Sequence, residues 1–195
     1  MKNIVILISG GGSNMAAIVQ AADNESWAER LGVQVAAVIS NVAEAQGLRL
    51  AESLGLATQV VSHRAFDSRE AFDAALRERI DGYSPALVIL AGFMRILTPA
   101  FVAHYEGRLI NIHPSLLPAF TGLHTHQRAI DAGCSVAGAT VHQVTAELDH
   151  GDYLAQAVVP VQVCDTAATL AARVLAQEHL IYPQAVRAFF RDGVA

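Results

Sequence analysis

An asparagine and a histidine, Asn111 and His113, stand at the end of an apolar run that is typical of a β-strand. Side chains two residues apart on a strand project from the same face, so the amide and the imidazole can reach one substrate atom. An imidazole can act as a general acid or base, or as a cation that stabilises negative charge, and an amide N–H can donate to an oxyanion. The alternative is a strand end whose side chains bond only to the backbone, and the spacing does not decide between the two.

Two acids follow in a polar loop further along the chain, at Glu147 and Asp149. A carboxylate that folds back from this loop can pair with His113 and stabilise the charged form of its imidazole. We take Asp149 as the partner and Glu147 as its competitor. The alternative is that both acids are solvated, as acids in glycine-containing turns usually are.

A glycine-rich segment, Ser9-Gly10-Gly11-Gly12-Ser13-Asn14, separates the first apolar run from a helical pattern. Backbone N–H groups at a strand-to-helix turn, together with the positive end of the helix, form an anion site, so we expect a phosphate here. Met15 stands where a dinucleotide fingerprint needs its last glycine, and no Gly-Lys-Ser/Thr follows. A ribose monophosphate therefore fits better than NAD or ATP. A glycine turn without any ligand is the alternative.

Three further histidines, His124, His126 and His142, lie in the same half of the sequence. His-x-His spacing can seed a zinc or iron site. No clear third ligand at helical spacing accompanies the pair, so we expect no bound metal.

The patterns around these residues alternate between strand and helix along the first part of the chain. Strands are expected at 3–9, 33–40, 58–61, 87–91 and 108–112, and helices at 15–22, 45–54, 68–80 and 99–105, the first of them capped by Ser13 or Asn14. This alternation predicts an α/β fold with a doubly wound, mostly parallel, Rossmann-like sheet. Beyond it we expect a helix at 125–132, two strands at 139–144 and 153–161 that could pair antiparallel, and a long C-terminal helix at 166–190.

Composition limits the classes of protein to which the chain can belong. Its 195 residues, 53% hydrophobic and 16% charged, suit one folded domain. The formal net charge of -5 provides no basic field for a nucleic-acid backbone or an anionic membrane. The apolar run Ile4 to Ile8 is too short to span a bilayer or to serve as a secretory signal, so we expect a cytoplasmic protein.

Six motifs together resemble the phosphoribosylglycinamide formyltransferase family of folate-dependent enzymes. They are ISGGGSN at 8–14, LAGFMRIL at 90–97, NIHPSLLP at 111–118, GLHTH at 122–126, ATVH at 139–142 and ELDHG at 147–151. The pattern Asn-x-His-x-Ser-Leu-Leu-Pro followed by Leu-Asp-x-Gly is typical of formyltetrahydrofolate-using hydrolases and transferases in general. The GGGSN loop and GLHTH are typical of the members that act on glycinamide ribonucleotide.

The resemblance implies a formyltransferase fold and transfer of the formyl group of 10-formyltetrahydrofolate, a co-substrate, to the amine of glycinamide ribonucleotide in purine biosynthesis. It implies that the catalytic residues are Asn111, His113 and Asp149. The ribotide-binding residues that it implies are Gly12, Ser13, Asn14 and Glu178. The folate-binding residues that it implies are Arg69, Met94, Arg95, Ile96, Leu97, Asn111, Thr145, Ala146, Glu147, Leu148 and Asp149.

Further expectations concern organisation and partners. We expect a single domain, 1–195, with a phosphate- and ribotide-binding half at 1–105 and a catalytic and folate-binding half at 106–195. Its partners would be the two small-molecule substrates, without nucleic acid or membrane, and the protein would be a monomer or a homodimer. Leu175 stands where the family pattern has a polar contact to the ribotide, which leaves open whether a side chain there reaches the phosphate. His150 and Asp152-Tyr153 replace smaller or apolar residues of the family pattern, so the resemblance does not determine the edge of the folate loop.

Other functions share part of this pattern. A formyltetrahydrofolate hydrolase, or a transferase that formylates a charged tRNA, would use the same Asn, His and Asp residues, but such relatives carry an extra domain for which this chain is too short. A non-catalytic nucleotide sensor would use only the GGGSN loop and would leave Asn111, His113 and Asp149 without a shared purpose. Chemical change of a bound ribotide distinguishes the enzyme from the sensor.

Overall fold

A computed structural model describes residues 1–191, which form one sheet with helices packed on both of its faces. The strands are β1 (Lys2–Ile8), β2 (Val33–Ser40), β3 (Ala57–Val60), β4 (Pro85–Leu90), β5 (Leu109–His113), β6 (Val136–Gln143) and β7 (Tyr153–Pro160). The α-helices are α1 (Ser13–Asn24), α2 (Trp27–Leu31), α3 (Gln46–Ser53), α4 (Arg69–Asp81), α5 (Pro99–His104), α6 (Thr125–Asp131) and α7 (Ala167–Arg191), and a short 3-10 helix spans His63–Ala65.

The seven strands lie in the order β3-β2-β1-β4-β5-β6-β7. The first five are parallel, whereas β6 pairs antiparallel with β5 and β7 pairs antiparallel with β6. The predicted doubly wound sheet with antiparallel C-terminal strands is therefore confirmed. The chain leaves β1 toward β2 and returns on its other side at β4, so the carboxyl ends of β1 and β4 flank the switch point where open α/β sheets bind ligands.

Alternate residues of the buried strands supply two separate cores. In β1, Ile4, Ile6 and Ile8 pack with α1, α2, α3 and α7 on one face. Val5 and Leu7 pack with α4 and α5 on the other face. A strand that is buried on both faces reads as a continuous apolar run, as the segment from Ile4 to Ile8 does.

The long helix α7 lies against the face that carries α1 and contacts β6 and β7. Pro183 falls inside this helix, and Tyr182 beside it is completely buried. The Tyr182 hydroxyl donates to the carbonyl oxygen of Leu90 at 2.9 Å, and Ile110 O lies 3.2 Å away, so α7 is fixed to β4 and β5. No helix within residues 1–191 is both long and apolar enough to cross a membrane.

Two local expectations were wrong. Neither Ser13 nor Asn14 caps α1: the N-cap is Gly12, with a φ of 75° and no side-chain cap bond, because the Asn14 side chain is engaged with a residue of α7. The short helix α2 was not expected at all. It is anchored by the buried ring of Trp27 in an otherwise polar stretch.

Candidate active site

The carboxyl end of β5 carries Asn111 and His113 on the same face, as their spacing requires. His113 is buried and Asn111 is half-buried. Antiparallel β6 places His142 opposite Asn111 and Thr140 opposite His113. The strand end is thus enclosed on one side by polar side chains of β6.

Asp149 reaches His113 from the loop between β6 and β7. Its Oδ2 lies 3.5 Å from His113 Nδ1, and both side chains are buried. The same carboxylate oxygen accepts a hydrogen bond of 2.9 Å from the N–H of Gly122. Asp149 has a φ of 56°, in the left-handed region that few non-glycine residues occupy. This loop therefore holds a carboxylate in a defined position beside the imidazole.

Glu147 does not join this pair. Its side chain is 73% exposed, and its carboxylate lies 3.6 Å from the Nδ1 atom of exposed His150. Between the two acids of the loop, the geometry favours Asp149 as the partner of His113.

The second ring nitrogen of His113 also has an oxygen partner. His113 Nε2 lies 3.0 Å from the carbonyl oxygen of Phe120. The loop that presents this carbonyl is fixed to β6 by Thr140, whose hydroxyl donates to the Ser115 carbonyl at 2.7 Å. With Asp149 on one side and Phe120 on the other, a doubly protonated ring has an acceptor for each N–H. The arrangement suits a group that holds and delivers a proton.

His142 lies buried beside Asn111, and the sequence suggested only a metal-binding role for it. Its Nδ1 lies 2.8 Å from the carbonyl oxygen of Gln143, and its Nε2 lies 3.3 Å from Asn111 Nδ2. Burial has the largest effect on the pKa of His142 and lowers it below the usual range. The Gln143 carbonyl and Asp149 oppose this shift, and the charge of His113 adds to it.

The histidines of GLHTH do not form a metal site with His142. His124 is exposed and is the N-cap of α6, and His126 is half-buried in the first turn of that helix. Among residues 1–191, no group of three or more His, Cys, Asp or Glu side chains is arranged to hold a metal ion. That the reaction needs no metal stays a prediction.

The glycine loop lines a cleft of about 260 Å³ at the switch point of the sheet. Its lining residues are Ser9, Gly10, Gly11, Gly12, Ser13, Asn14, Ala91, Gly92 and Met94. Gly12 is buried and packs directly on Gly47, so that a Cβ at Gly12 would lie 2.8 Å from Gly47 Cα. The Gly47 N–H donates to the Gly10 carbonyl at 2.9 Å. Close packing of α3 on the loop therefore fixes the backbone that faces the cleft.

Asn14 and Glu178 form a buried link between α1 and α7. Asn14 Nδ2 donates to Glu178 Oε2 at 2.7 Å, and the Oδ1 atom of Asn14 is buried without a partner among the described residues. Burial raises the pKa of Glu178, against the opposing effect of the Asn14 hydrogen bond. Ser13 is exposed at the start of α1, and Leu175 is half-buried on α7, three residues before Glu178. Two of the four ribotide-binding residues implied by the resemblance thus bond to each other.

The segment after β4 forms one wall beside the glycine loop. Met94 and Ile96 are 70% and 61% exposed, Arg95 is exposed, and Leu97 is half-buried. The N–H of Met94 donates to the Ser9 hydroxyl at 2.8 Å, which ties this segment to the glycine loop.

The end of the same wall is tied to α4. The Thr98 N–H donates to the buried Asp73 carboxylate at 2.6 Å. Arg69 is exposed at the first position of α4. The segment 94–97, which the resemblance assigns to folate binding, is therefore held by backbone hydrogen bonds at Met94 and at Thr98.

The loop between β6 and β7 forms a second exposed surface. Thr145, Ala146 and Glu147 are exposed, and Leu148 is 56% exposed beside buried Asp149. Gly151 packs so closely on the Gln143 carbonyl that no Cβ fits there. His150 and Tyr153 are both exposed.

Known proteins resemble this chain over almost its whole length. The formyl transferase family profile matches residues 2–186. The phosphoribosylglycinamide formyltransferase of Escherichia coli (strain K12) is 52% identical over 191 residues, which cover 98% of this chain and 88% of that protein. The trifunctional purine biosynthetic protein adenosine-3 of Bos taurus is 42% identical over 184 residues, which cover 94% of this chain and 18% of that protein.

Solved structures agree with these sequence relationships. The crystal structure of phosphoribosylglycinamide formyltransferase from Brucella melitensis matches with a TM-score of 0.90 and 53% identity, covering 97% of this chain and 96% of that chain. The crystal structure of glycinamide ribonucleotide transformylase 1 from Symbiobacterium toebii matches with a TM-score of 0.93 and 45% identity, covering 98% of this chain and 89% of that chain. The chain belongs to the formyl transferase family and, within it, to the phosphoribosylglycinamide formyltransferases.

Proposed function

We propose that the chain transfers the formyl group of 10-formyltetrahydrofolate to the amine of glycinamide ribonucleotide, giving formylglycinamide ribonucleotide and tetrahydrofolate in purine biosynthesis. The observation that carries the proposal is the convergence of Asn111, His113 and Asp149 at the end of β5 in a member of this family. The reaction forms a C–N bond to the ribotide amine and breaks the C–N bond between the formyl carbon and the folate.

Asn111 and His113 are the groups that we assign to the developing negative charge. When the neutral amine attacks the formyl carbon, the formyl oxygen gains charge, and donors already in place there lower the barrier. Asn111 supplies an amide N–H, and protonated His113 supplies a second donor or a positive charge.

The proton balance of the reaction involves His113 and Asp149. The attacking amine must lose a proton, and the nitrogen of the departing tetrahydrofolate must gain one. His113 is the group we assign to this exchange, directly or through water, because one imidazole nitrogen can accept a proton while the other donates one. Asp149, 3.5 Å from Nδ1, orients the ring and stabilises its charged form.

The ribotide phosphate fits the cleft at the glycine loop. The loop precedes α1, a helix of 12 residues, so its backbone N–H groups and the helix end both favour an anion. Among residues 1–191, no lysine or arginine lines this cleft, so the backbone is the main source of attraction for the phosphate. Asn14 lines the cleft and bonds to Glu178, and its Oδ1 atom, which has no hydrogen-bond partner among the described residues, is an acceptor for a ribotide hydroxyl or amide.

The folate fits the two exposed surfaces formed by the segment after β4 and by the loop between β6 and β7. Met94 and Ile96 on one surface and Leu148 on the other are large apolar side chains left in water, which is typical of a surface that binds an apolar ring system. Bound folate supplies the activated formyl group. Arg69, Arg95, Leu97 and the segment 145–149 complete the folate-binding set that we propose.

The remaining assignments follow from this scheme. Each step uses groups of the chain and its two substrates, so we propose no metal role, and exhaustive chelation should leave formyl transfer unchanged.

We place the enzyme in the cytoplasm as a monomer or homodimer. We also propose two functional halves within one domain: a ribotide-binding half, 1–105, and a catalytic and folate-binding half, 106–195. One continuous sheet joins the two halves.

The proposal is tested by incubating the purified chain with both substrates and following the products by mass spectrometry. We expect formylglycinamide ribonucleotide and tetrahydrofolate in equal amounts, and neither product when one substrate is omitted. Absence of formylated ribotide with folded enzyme would refute the proposed function.

A further inference from the structure

We propose that His142 is a positioning residue: as a neutral hydrogen-bond acceptor, it orients the carboxamide of Asn111 so that the amide group presents an N–H to the reacting formyl oxygen. The inference rests on the proposed function and assigns a role to a side chain that would not itself touch the substrate. His142 is 2% exposed, so its imidazole is effectively withdrawn from solvent behind the reacting face of β5.

The tautomer of His142 is determined by its two contacts. Nδ1 lies 2.8 Å from the carbonyl oxygen of Gln143, which can only accept, so Nδ1 carries the proton. In the neutral ring Nε2 is then an acceptor, and it lies 3.3 Å from Asn111 Nδ2. An acceptor at this position selects the orientation of the amide in which Nδ2, rather than Oδ1, faces the ring. One N–H of Asn111 bonds to His142, and the other N–H remains for the substrate.

Protonation of His142 would reverse this selection. A proton on Nε2 would oppose the N–H groups of Asn111, and the amide would have to turn by half a rotation to offer Oδ1 instead. The nitrogen and oxygen of the amide would then exchange places, and the donor would be lost from its working position. The charged and titratable groups around the ring are Asp149, whose Oδ1 lies 3.9 Å from Nε2, His113 on β5, and Tyr153 paired with His142 on β7. Burial, the largest influence, keeps the pKa of His142 low and the ring neutral.

The test uses substitutions that differ in where they place an acceptor. Glutamine carries its amide oxygen near the position of Nε2, whereas asparagine carries it near the position of Nδ1. Because loss of an oriented oxyanion donor costs about 100-fold in turnover, His142→Ala and His142→Asn should lower kcat by at least about tenfold with little change in either KM. His142→Gln should stay within about fivefold of the wild type on the same scale. His104→Gln, on α5 away from the site, serves as the control and should leave kcat unchanged.

Two further measurements separate positioning from a structural effect. If His142 acts through Asn111, then adding His142→Ala to Asn111→Ala should lower the single-turnover rate no further, whereas independent effects multiply. The ratio of kcat for His142→Gln to kcat for the wild type should rise as the pH falls below 6.5, because only the wild type has a ring to protonate.

Four results would each overturn the inference. The first two are full activity of His142→Ala and equal defects of the folded Gln and Asn variants. The others are defects that multiply in the double variant and a kcat ratio that does not depend on pH. A wild-type enzyme that formylates no ribotide would refute the proposed function instead.

Discussion

The Asp149 carboxylate lies 2.9 Å from the N–H of Gly122 and 3.5 Å from the imidazole of His113. Glu147, two residues earlier in the same loop, has neither contact and is mostly exposed. At the scale of single residues, the choice between two acids of the same loop therefore depends on backbone conformation, since Asp149 adopts the left-handed region and Glu147 remains at the surface.

Replacement of His113 or Asp149, the pair to which we assign catalysis, should lower the activity without unfolding the protein. We expect His113→Ala and Asp149→Asn each to lower turnover by about 100-fold or more, because general acid-base and oxyanion contributions are of that size. Glu147→Gln is the matched control and should retain nearly all activity. Steady-state kinetics with thermal melting curves checks both. Near-normal turnover in either folded catalytic variant, or a worse defect in Glu147→Gln, would contradict the assignment.

The sequence predicted Asn111 and His113 as a pair because their spacing on one strand is independent of the rest of the fold. It did not predict the contact of His142 with Asn111. That contact depends on β6 lying beside β5 in one particular register, Asn111 opposite His142, and strand pairing across 31 residues is not encoded in local periodicity. The hydrogen bond between Asn14 and Glu178, which are 164 residues apart, was not predicted for the same reason.

At the scale of elements, the glycine loop depends on how closely α3 approaches it. A Cβ at Gly12 would lie 2.8 Å from Gly47 Cα, and Gly12 has a φ of 75°. Neither Gly10 nor Gly11 has such a constraint, since a Cβ at either meets nothing within 4 Å. The three consecutive glycines therefore differ: the position of Gly12 excludes a side chain, whereas those of Gly10 and Gly11 have room for a Cβ.

Gly12→Ala should weaken both the fold and ribotide binding. We expect a loss of about 1–2 kcal/mol in the free energy of unfolding from left-handed strain alone, with a further loss as α3 is displaced. Gly10→Ala should be close to neutral for stability. Chemical denaturation and calorimetric titration with glycinamide ribonucleotide measure the two effects. Equal stabilities of the two variants would show that the packing against Gly47 does not constrain the loop.

The buried Asn14–Glu178 link between α1 and α7 should make the free energy of unfolding depend on pH. Because burial raises the folded-state pKa of Glu178 above 4.5, its contribution to stability is complete below pH 4.5 and is lost as the pH rises through the folded-state pKa. Glu178→Gln removes this titration and keeps an acceptor for Asn14. The stability of the Gln variant relative to the wild type should therefore increase between pH 4.5 and 8 in denaturation experiments, while ribotide affinity falls. A stability difference independent of pH would contradict a buried, titrating carboxylate.

Most elements were predictable because alternating apolar runs determine strands and helices locally. The cap of α1 was not, because Asn14 is drawn into a bond with α7 rather than with its own helix. The placement of β6 between β5 and β7 also required the three-dimensional structure, since the sequence predicted only that β6 and β7 could pair.

At the scale of the whole molecule, the sheet places the cleft of the glycine loop at the end of β1 and His113, to which we assign proton transfer, at the end of β5, with β4 between them. A ligand that spans the crevice would have its phosphate anchored at α1 and its amine directed toward Asn111. The segment after β4 and the loop between β6 and β7 present the apolar side chains that we assign to folate. The reaction therefore depends on both ligands being aligned together, and alignment of two reactants supplies a large share of the rate acceleration.

The most direct test of this account is the rate of formyl transfer from 10-formyltetrahydrofolate to three acceptors: glycinamide ribonucleotide, its dephosphorylated riboside and water. We predict efficient transfer to the ribotide, a rate lower by at least about 100-fold with the riboside at equal subsaturating concentration because the anion site is left empty, and negligible formate release. Equal rates with ribotide and riboside would contradict the phosphate assignment, and rapid formate release that does not depend on the ribotide would show that the chain is a hydrolase.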